Sequence, residues 1–300
     1  MDNLRGATLM TLAMLGFAIE DMFIKLVADS LPTWQIIALL GLGGSLAYGA
    51  LARVQGQALF SRAMLSPAVI ARNIGELVGT AAFVTAIALI PISTASAVLQ
   101  ATPLAVTLGA ALFLGEPVGW RRWCAILAGF AGVMLVIRPG LSGFDARSLF
   151  AVLAVLGLGA RDLITRRIPR DVSSIQLSFL GFLTLIPTAA MLSLLSPRPP
   201  VMPDAQLWAL IAGAVVLGTV SYYGIVAAMR VGEVSFVTPF RYSRLIFALA
   251  VGMAVFGERP DALMLLGAAI IVASGLYTVW RERKHRARTR QTLSLGPRAG

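Results

Sequence analysis

The chain has 300 residues, 58% of them hydrophobic and only 13% charged, with a mean hydropathy of +0.83, whereas a soluble domain carries about 25% charged residues. This composition excludes an ordinary soluble enzyme or binding module and defines an integral membrane protein. The 25 Lys+Arg against 14 Asp+Glu leave a formal charge of +11 that suits nucleic acid, anionic lipid or membrane orientation, while the single cysteine and single histidine, Cys124 and His285, supply neither an internal disulfide, nor a Cys/His zinc set, nor a Ser-His or Cys-His nucleophile.

About 20 mostly apolar residues cross a bilayer, and that criterion predicts an all-α chain with ten spans, at 5–27, 33–52, 67–89, 92–114, 119–138, 147–168, 173–195, 206–229, 232–256 and 262–281. The first follows Arg5 as a signal sequence would, but its length, its charges Glu20, Asp21 and Lys25 and the lack of a small-residue cleavage site predict a retained span. In the second, "GLGG" (41–44) provides a small face for helix contact, and in the third Gly75 and Gly79 form GxxxG around Glu76, four residues after Arg72. The fourth carries Gln100, Thr102 and Pro103 and ends at Glu116; the sixth carries Arg161, Asp162 and Arg166; the eighth holds Tyr222 and Tyr223. The ninth contains Pro239, Arg241, Tyr242 and Arg244 and ends at Glu258. Pro103 and Pro239 are candidate helix breaks, and Glu116 and Glu258 read as structural helix ends. Connections such as "LPT", "IPIS" and "GERPD" are short, so neighbouring helices should be antiparallel. Only "RERKHRARTRQTLSLGPRAG" at the end has the polarity of a solvated tail.

Lys and Arg in short loops set orientation. With the termini on one side, that side carries Arg5, Arg53, Arg62, Arg121, Arg122, Arg166, Arg167, Arg170, Arg230 and the tail, against Arg138, Arg147, Arg198 and Arg259 on the other. Both termini are therefore expected in the cytoplasm of a bacterial inner membrane. The basic tail reads as a topology determinant near anionic lipid headgroups, not as a nucleic-acid arm.

"MLGFAIEDMFIKLV" (14–27) and "VLGLGARDLITRRI" (155–168) match, at an offset of 141, Leu15 with Leu156, Gly16 with Gly157, Asp21 with Asp162 and Lys25 with Arg166. "FLGEP" (113–117) and "VFGERP" (255–260) match Gly115 with Gly257 and Glu116 with Glu258 at 142. Five spans in each half is an odd number, so the second copy enters the membrane inverted, an arrangement characteristic of secondary transporters. The expected division is 5–140, 147–281 and a tail at 282–300.

"STASAVLQATPLAVTLGAALFLGEPVGWRRWCAILAGFAGVMLVIRPG" (93–140) resembles the fourth and fifth helices of the drug/metabolite transporter superfamily, EamA branch, through Pro103, Gly115, Glu116 and Gly132. The resemblance covers roughly 5–280 and implies ten helices in two EamA repeats and transport of small organic solutes such as amino acids, vitamins or nucleoside-like metabolites. Arg241 and Arg244 depart from the pattern, in a helix that the family keeps mostly apolar.

Glu20, Asp21, Lys25, Arg72, Glu76, Arg161, Asp162, Arg241 and Arg244 all fall within spans. At about 2.5–3.5 kcal/mol each near a helix centre, alone in lipid they would cost about 20–30 kcal/mol, beyond the roughly 5–15 kcal/mol that holds a typical fold. Spacing of four suggests pairs Asp21–Lys25, Arg72–Glu76 and Asp162–Arg166, with Lys25 and Arg166 also placed to snorkel. Lys25, Arg72, Glu76 and Arg166 thus read as gate or structural charges. Glu20, Asp21, Arg161, Asp162, Arg241 and Arg244 are candidate lining of a water-filled cavity, with Gln100, Thr102, Tyr222 and Tyr223 as neutral lining and Tyr242 beside the two arginines as a further candidate. Arg241 and Arg244 could hold a carboxylate, phosphate or polarised carbonyl, and Glu20 or Asp21 could carry a coupling proton.

The expected activity is alternating-access secondary transport of a polar or zwitterionic metabolite, with riboflavin-like vitamins, amino acids and S-adenosylmethionine-like compounds all open. The alternatives are a membrane enzyme acting on a lipid or phosphorylated substrate, for which no nucleophile, metal set or phosphate loop is visible, and a channel. Expected partners are the solute, protons and membrane lipid, with no cofactor, no metal and no nucleic acid; monomer and homodimer are both open.

Overall fold

The first span shows how this sequence builds a membrane helix. α1 (Asn3–Ala28) has 26 residues, which at 1.5 Å per residue reach about 39 Å, enough to cross the roughly 30 Å hydrocarbon core with some tilt. Asp2 caps its start by accepting from the Arg5 amide at 3.0 Å. The computed structural model describes residues 2–116, 118–140, 144–165, 167–168 and 172–294, side chains at 230, 234, 235 and 282–294 excepted. Among these residues ten helical spans are long and apolar enough to cross a membrane; nine begin and end within three residues of the expected bounds, and the ninth in chain order, Thr238–Phe256, begins six residues later than expected. Arg166, expected as a gate charge paired with Asp162, lies outside the described residues.

α2 (Thr33–Val54) and α3 (Pro67–Leu89) follow. The fourth span is broken into α4 (Ile92–Leu99) and α5 (Thr102–Phe113). Pro103 causes the break: it has no N–H for the Leu99 carbonyl, which instead accepts from Thr102 Oγ1 at 2.6 Å. α6 (Trp120–Ile137), α7 (Leu149–Thr165), α8 (Ser174–Leu195) and α9 (Ala205–Val231) are continuous. The ninth span is broken as expected around Pro239, into α10 (Val234–Val237), a 3-10 turn (Thr238–Tyr242) and α11 (Ser243–Phe256). α12 (Ala262–Ser294) forms the last span and continues past it.

The packing carries the inverted repeat. α1 packs on α9 as α3 packs on α7, and α1 touches α11 as α5 touches α7; α2 with α8 and α6 with α12 are each their own counterparts. The two Gly-Glu anchors have the same geometry. Gly115 and Gly257 adopt left-handed φ of 65° and 63°, so that the amides of Glu116 and Glu258 turn back to the carbonyls of Ala110 (3.2 Å) and Gly252 (2.9 Å).

Small residues bring the helices close where the charges sit. Gly75 and Gly79 of α3 meet Gly157 of α7 backbone to backbone, so that a β-carbon on Gly157 would stand 2.7 Å from the Gly79 Cα. At the equivalent interface Gly16 of α1 meets Ser221 of α9, and Gly218 of α9 meets the carboxyl of Glu20. Around these contacts a core including Ile24, Ile37, Ile87, Val98, Leu185 and Ile271 is almost fully withdrawn from solvent.

Candidate functional site

The intramembrane charges gather into two networks. At the first, Arg244 in the opening turn of α11 grips Asp21 of α1, with Nη2 donating to Oδ2 (2.7 Å) and Oδ1 (2.9 Å) and Nε donating to Oδ2 (3.2 Å). The Phe17 and Phe83 rings lie 4.9 and 5.1 Å from the guanidinium, so it is held by cation–π contact as well as by charge. Asp21 is only 2% exposed, and a carboxylate so deep is tolerable only with such a partner.

The second network ties α3 to α7. Glu76 accepts from Arg72 Nη2 (2.9 Å), Arg161 Nη1 (2.9 Å) and Thr80 Oγ1 (3.2 Å), while Arg161 Nη2 also lies 2.9 Å from Asp162. Arg72 Nη1 reaches Asn73 Oδ1 (2.9 Å) and the Leu177 carbonyl of α8 (3.2 Å), while its Nε has no partner. The glycine contact between α3 and α7 is what lets Glu76 and Arg161 meet. Exposure rises across this network, from 3% for the Arg72 side chain to 30% for that of Asp162.

Two charges are left over. Among the described residues Glu20 makes no hydrogen bond or ion pair, and Arg241, although partly exposed, makes no side-chain bond at all; its carbonyl receives only a long 3.4 Å contact from Gln100 Nε2. Tyr222 turns inward, edge-on to Tyr48 at 6.0 Å, and Tyr48 in turn stacks on Phe182 at 5.7 Å. The carboxylates Glu20, Asp21, Glu76 and Asp162 thus balance the guanidiniums Arg72, Arg161, Arg241 and Arg244 in formal charge, with one of each sign uncommitted.

Several sequence expectations change. The Asp21–Lys25 pair is not formed: Arg244 occupies Asp21, and Lys25 Nζ instead donates to the Ile87 (3.0 Å) and Ile90 (2.6 Å) carbonyls at the end of α3. Those carbonyls lack helical partners, and an ammonium near a membrane surface satisfies them. Tyr223 is 54% exposed on the outer side of α9 and lines nothing inside. Tyr242 is buried with its hydroxyl packed against Gly275 of α12 and without a hydrogen-bond partner. Arg72–Glu76 forms as the spacing indicated. Phe17, Phe83 and Gly218 were not singled out in the sequence. The repeat offset is the signal that reveals Gly218, since it stands where Glu76 stands in the first half.

Outside the spans, Asp261 opens α12 by accepting from the Met264 amide (2.8 Å) and binds Arg138 at the end of α6. The Arg138 hydrogen bond, helped by that amide, holds the Asp261 carboxyl below the usual carboxylate range.

Comparison with known proteins agrees with this architecture. The description "EamA-like transporter family" matches twice, over residues 4–138 and 147–280. A riboflavin transporter of Vibrio cholerae is 34% identical over 66% of this chain and 66% of its own length. An S-adenosylmethionine uptake transporter of Rickettsia bellii is 25% identical over 69% of this chain and 70% of its own. These matches span about two thirds of those relatives. The pseudopaline exporter CntI of Pseudomonas aeruginosa is 26% identical over 90% of this chain and 94% of its own. A solved crystal structure superposes with a TM-score of 0.56 at 19% identity, covering 91% of this chain and 98% of that one, a likeness of fold alone.

Proposed function

The chain belongs to the EamA-like transporter family, and we propose that it is a secondary transporter moving a small polar or zwitterionic organic metabolite across the bacterial inner membrane by alternating access. The observation that carries the site assignment is the pair of uncommitted opposite charges, Glu20 and Arg241, in a bundle where the other buried charges are matched. A solute that offers an anionic or acceptor group to Arg241 and a cationic or donor group to Glu20 enters without breaking either ion-pair network. Desolvating a new charge would cost several kcal/mol, so a site already neutral overall favours a dipolar solute over a net ion. Tyr222, edge-on to Tyr48, offers a ring face to a planar solute.

The names of the relatives narrow the candidates. Riboflavin is a planar neutral solute, which suits a lumen of balanced charge; S-adenosylmethionine adds a sulfonium to its zwitterionic amino-acid part, and that net positive charge is one that Glu20 would have to balance. The relatives cited above are named as transporters or, in one case, an exporter, and no observation favours the membrane-enzyme alternative. Glu20 is the candidate proton carrier, because Asp21, Glu76 and Asp162 are each held by guanidinium groups and Glu20 is not. Both termini are assigned to the cytoplasm on the distribution of Lys and Arg.

The test is saturable uptake of radiolabelled riboflavin and S-adenosylmethionine into proteoliposomes, with and without a proton gradient, for the wild type, Glu20→Gln and Arg241→Ala. Arg241→Ala is expected to abolish saturable uptake, and Glu20→Gln to remove its dependence on the gradient. Normal transport by Arg241→Ala would refute the site.

A further inference from the structure

α6 of the first repeat and α12 of the second lie against each other along a seam that is not equally close over its length. Where Gly132 faces Gly267 the backbones touch, and a β-carbon on Gly132 would stand 2.8 Å from the Gly267 carbonyl. Toward the start of α6 and the end of the last span the same two helices leave a groove of about 450 Å³, within the size range of ligand clefts. Small side chains line its length, Cys124 and Ala128 from α6 and Ala273 from α12, and all three are exposed on the outside of the bundle. Trp120, Arg121 and Tyr277 surround its membrane-surface end.

The chemistry of that end says what belongs there. Trp120, Tyr277 and Trp280 are exposed, and the Tyr277 and Trp280 rings lie 5.8 Å apart. Tryptophan and tyrosine on the outside of a membrane bundle sit at the level of the lipid head groups. Arg121 therefore stands at the depth of lipid phosphates. Its guanidinium lies 5.1 Å from the Trp120 ring and, among the described residues, makes no hydrogen bond or ion pair. Beyond the membrane α12 continues into "RERKHRARTR" (281–290), and so basic a segment concentrates anionic lipid around the groove. A second copy of the chain suits the groove less well, because a two-fold contact across it sets Arg121 against its own counterpart.

The far end of the same seam provides a comparison within the molecule. At the offset of 142, Trp120, Arg121 and Tyr277 correspond to Ala262, Leu263 and Leu135, and Arg138 at that end is bound to Asp261. The helix pair is duplicated but the free arginine and its aromatic flank are not, so the packing of α6 on α12 does not demand them. We propose that the groove is a binding site for one anionic phospholipid of the adjoining leaflet. Arg121 pairs with the phosphate, Trp120 and Tyr277 flank the head group, and an acyl chain lies along Cys124, Ala128 and Ala273. The bound lipid clasps the two repeats where their backbones part. The site is separate from the charged lumen and goes beyond the transport reading, whichever solute is carried.

Native mass spectrometry of the full chain in detergent, with phosphatidylglycerol or phosphatidylcholine of identical acyl chains, tests the site, and thermal unfolding in the same mixtures accompanies it. The wild type is expected to retain one phosphatidylglycerol in preference to phosphatidylcholine and to melt at a higher temperature with it. Arg121→Gln should lower that preference about fivefold, the contribution of one basic residue near an anionic lipid surface. Ala273→Phe, which fills the groove and keeps the arginine, should weaken binding of both lipids, and Arg122→Gln, beside the groove, should do neither. The native Cys124 thiol locates the lipid: its alkylation by N-ethylmaleimide should slow several-fold when phosphatidylglycerol is added to the wild type, and not in Arg121→Gln. Equal retention of the two lipids by the wild type would overturn the proposal, as would equal losses in Arg121→Gln and Arg122→Gln, which would mean a diffuse effect of surface charge. Protection of Cys124 that comes with a dimer mass would make the groove an interface between copies and overturn it likewise. Glycerophosphoglycerol, the same head group without acyl chains, should leave Cys124 reactive; protection by it would mean a soluble phosphodiester ligand, and the lipid assignment would fall.

Discussion

Replacing Glu76 tests whether the α3–α7 network is structural. Its two oxygens serve Arg72, Arg161 and Thr80 at 2.9, 2.9 and 3.2 Å, so Glu76→Ala leaves two guanidiniums facing each other without the carboxylate between them. Removing one partner of a buried ion pair costs about 3–5 kcal/mol. Arg161 keeps Asp162, and Arg72 keeps Asn73 and the Leu177 carbonyl, which puts the expected loss near the lower end of that range. At about 2–4 °C per kcal/mol for a chain of this order of size, a 3 kcal/mol loss lowers the melting temperature by about 6–12 °C. The assay is thermal unfolding in detergent followed by monodispersity, with Arg161→Met and the double variant closing a cycle. The double variant should recover at least about 1.5 kcal/mol relative to additivity, because it removes the stranded charge together with its partner. A Glu76→Ala melting within a degree of the wild type, or strict additivity, would refute the structural assignment and move Glu76 into the solute site.

Arg241 should behave in the opposite way. Because its guanidinium makes no hydrogen bond or ion pair among the described residues, Arg241→Ala is expected to leave the melting temperature within ~2 °C of wild type, in line with substitutions that break no network, while abolishing solute-induced stabilisation in the same scan. Tyr223→Leu, on the outer side of α9 at 54% exposure, should leave uptake unchanged, and a transport defect would return Tyr223 to the lumen. The Asp261–Arg138 contact carries a pH signature. A carboxylate whose folded pKa is depressed contributes fully above its unfolded value of about 3.9 and loses that contribution as pH falls through the lower folded value. Amide protection of the first turn of α12 should therefore hold from neutral pH to about 4 and decline only below it. In Asp261→Asn that acid step should be absent.

Hydropathy made the ten spans legible because each must be apolar along its whole length to enter lipid, and the two proline breaks followed from a missing N–H. Charge pairing was legible only within one helix. Spacing of four finds Arg72–Glu76, but the same rule offers Lys25 to Asp21, and a single ammonium cannot displace the two-pronged guanidinium of Arg244 brought in by a helix 223 residues away in sequence. Arg161–Glu76 is likewise a contact between helices. The repeat register carries what helical spacing does not: at offset 141 Glu20 aligns with Arg161, and at offset 142 Glu76 aligns with Gly218. Tyr222 and Tyr223 could not both face inward, since neighbours on a helix stand about 100° apart.

That register also explains why the lumen is asymmetric although its scaffold is not. A strictly repeated sequence would place like beside like, and the two halves would bind a solute only as symmetric as themselves. Here the Arg161–Glu76 ion pair at the α3–α7 interface between the repeats corresponds to Glu20 against Gly218 at the α1–α9 interface, so one interface neutralises its charge and the other keeps a carboxyl free. The same substitution at two glycines separates scaffold from site. At Gly157 a β-carbon meets the Gly79 nitrogen and Cα at 2.5 and 2.7 Å and the Gly75 carbonyl at 3.0 Å, all of it backbone. Gly157→Ala must therefore force α3 from α7, and overpacking of this kind costs about 1–3 kcal/mol. At Gly218 the atoms nearest such a carbon all belong to the Glu20 carboxyl, the mobile end of a side chain. Gly218→Ala should fold with a melting temperature close to wild type, because a carboxyl group can swing aside where a helix cannot, and should impair transport by moving the acid. Equal losses of stability at the two sites would mean that Glu20 is locked in place, and its assignment as the free charge of the lumen would fall.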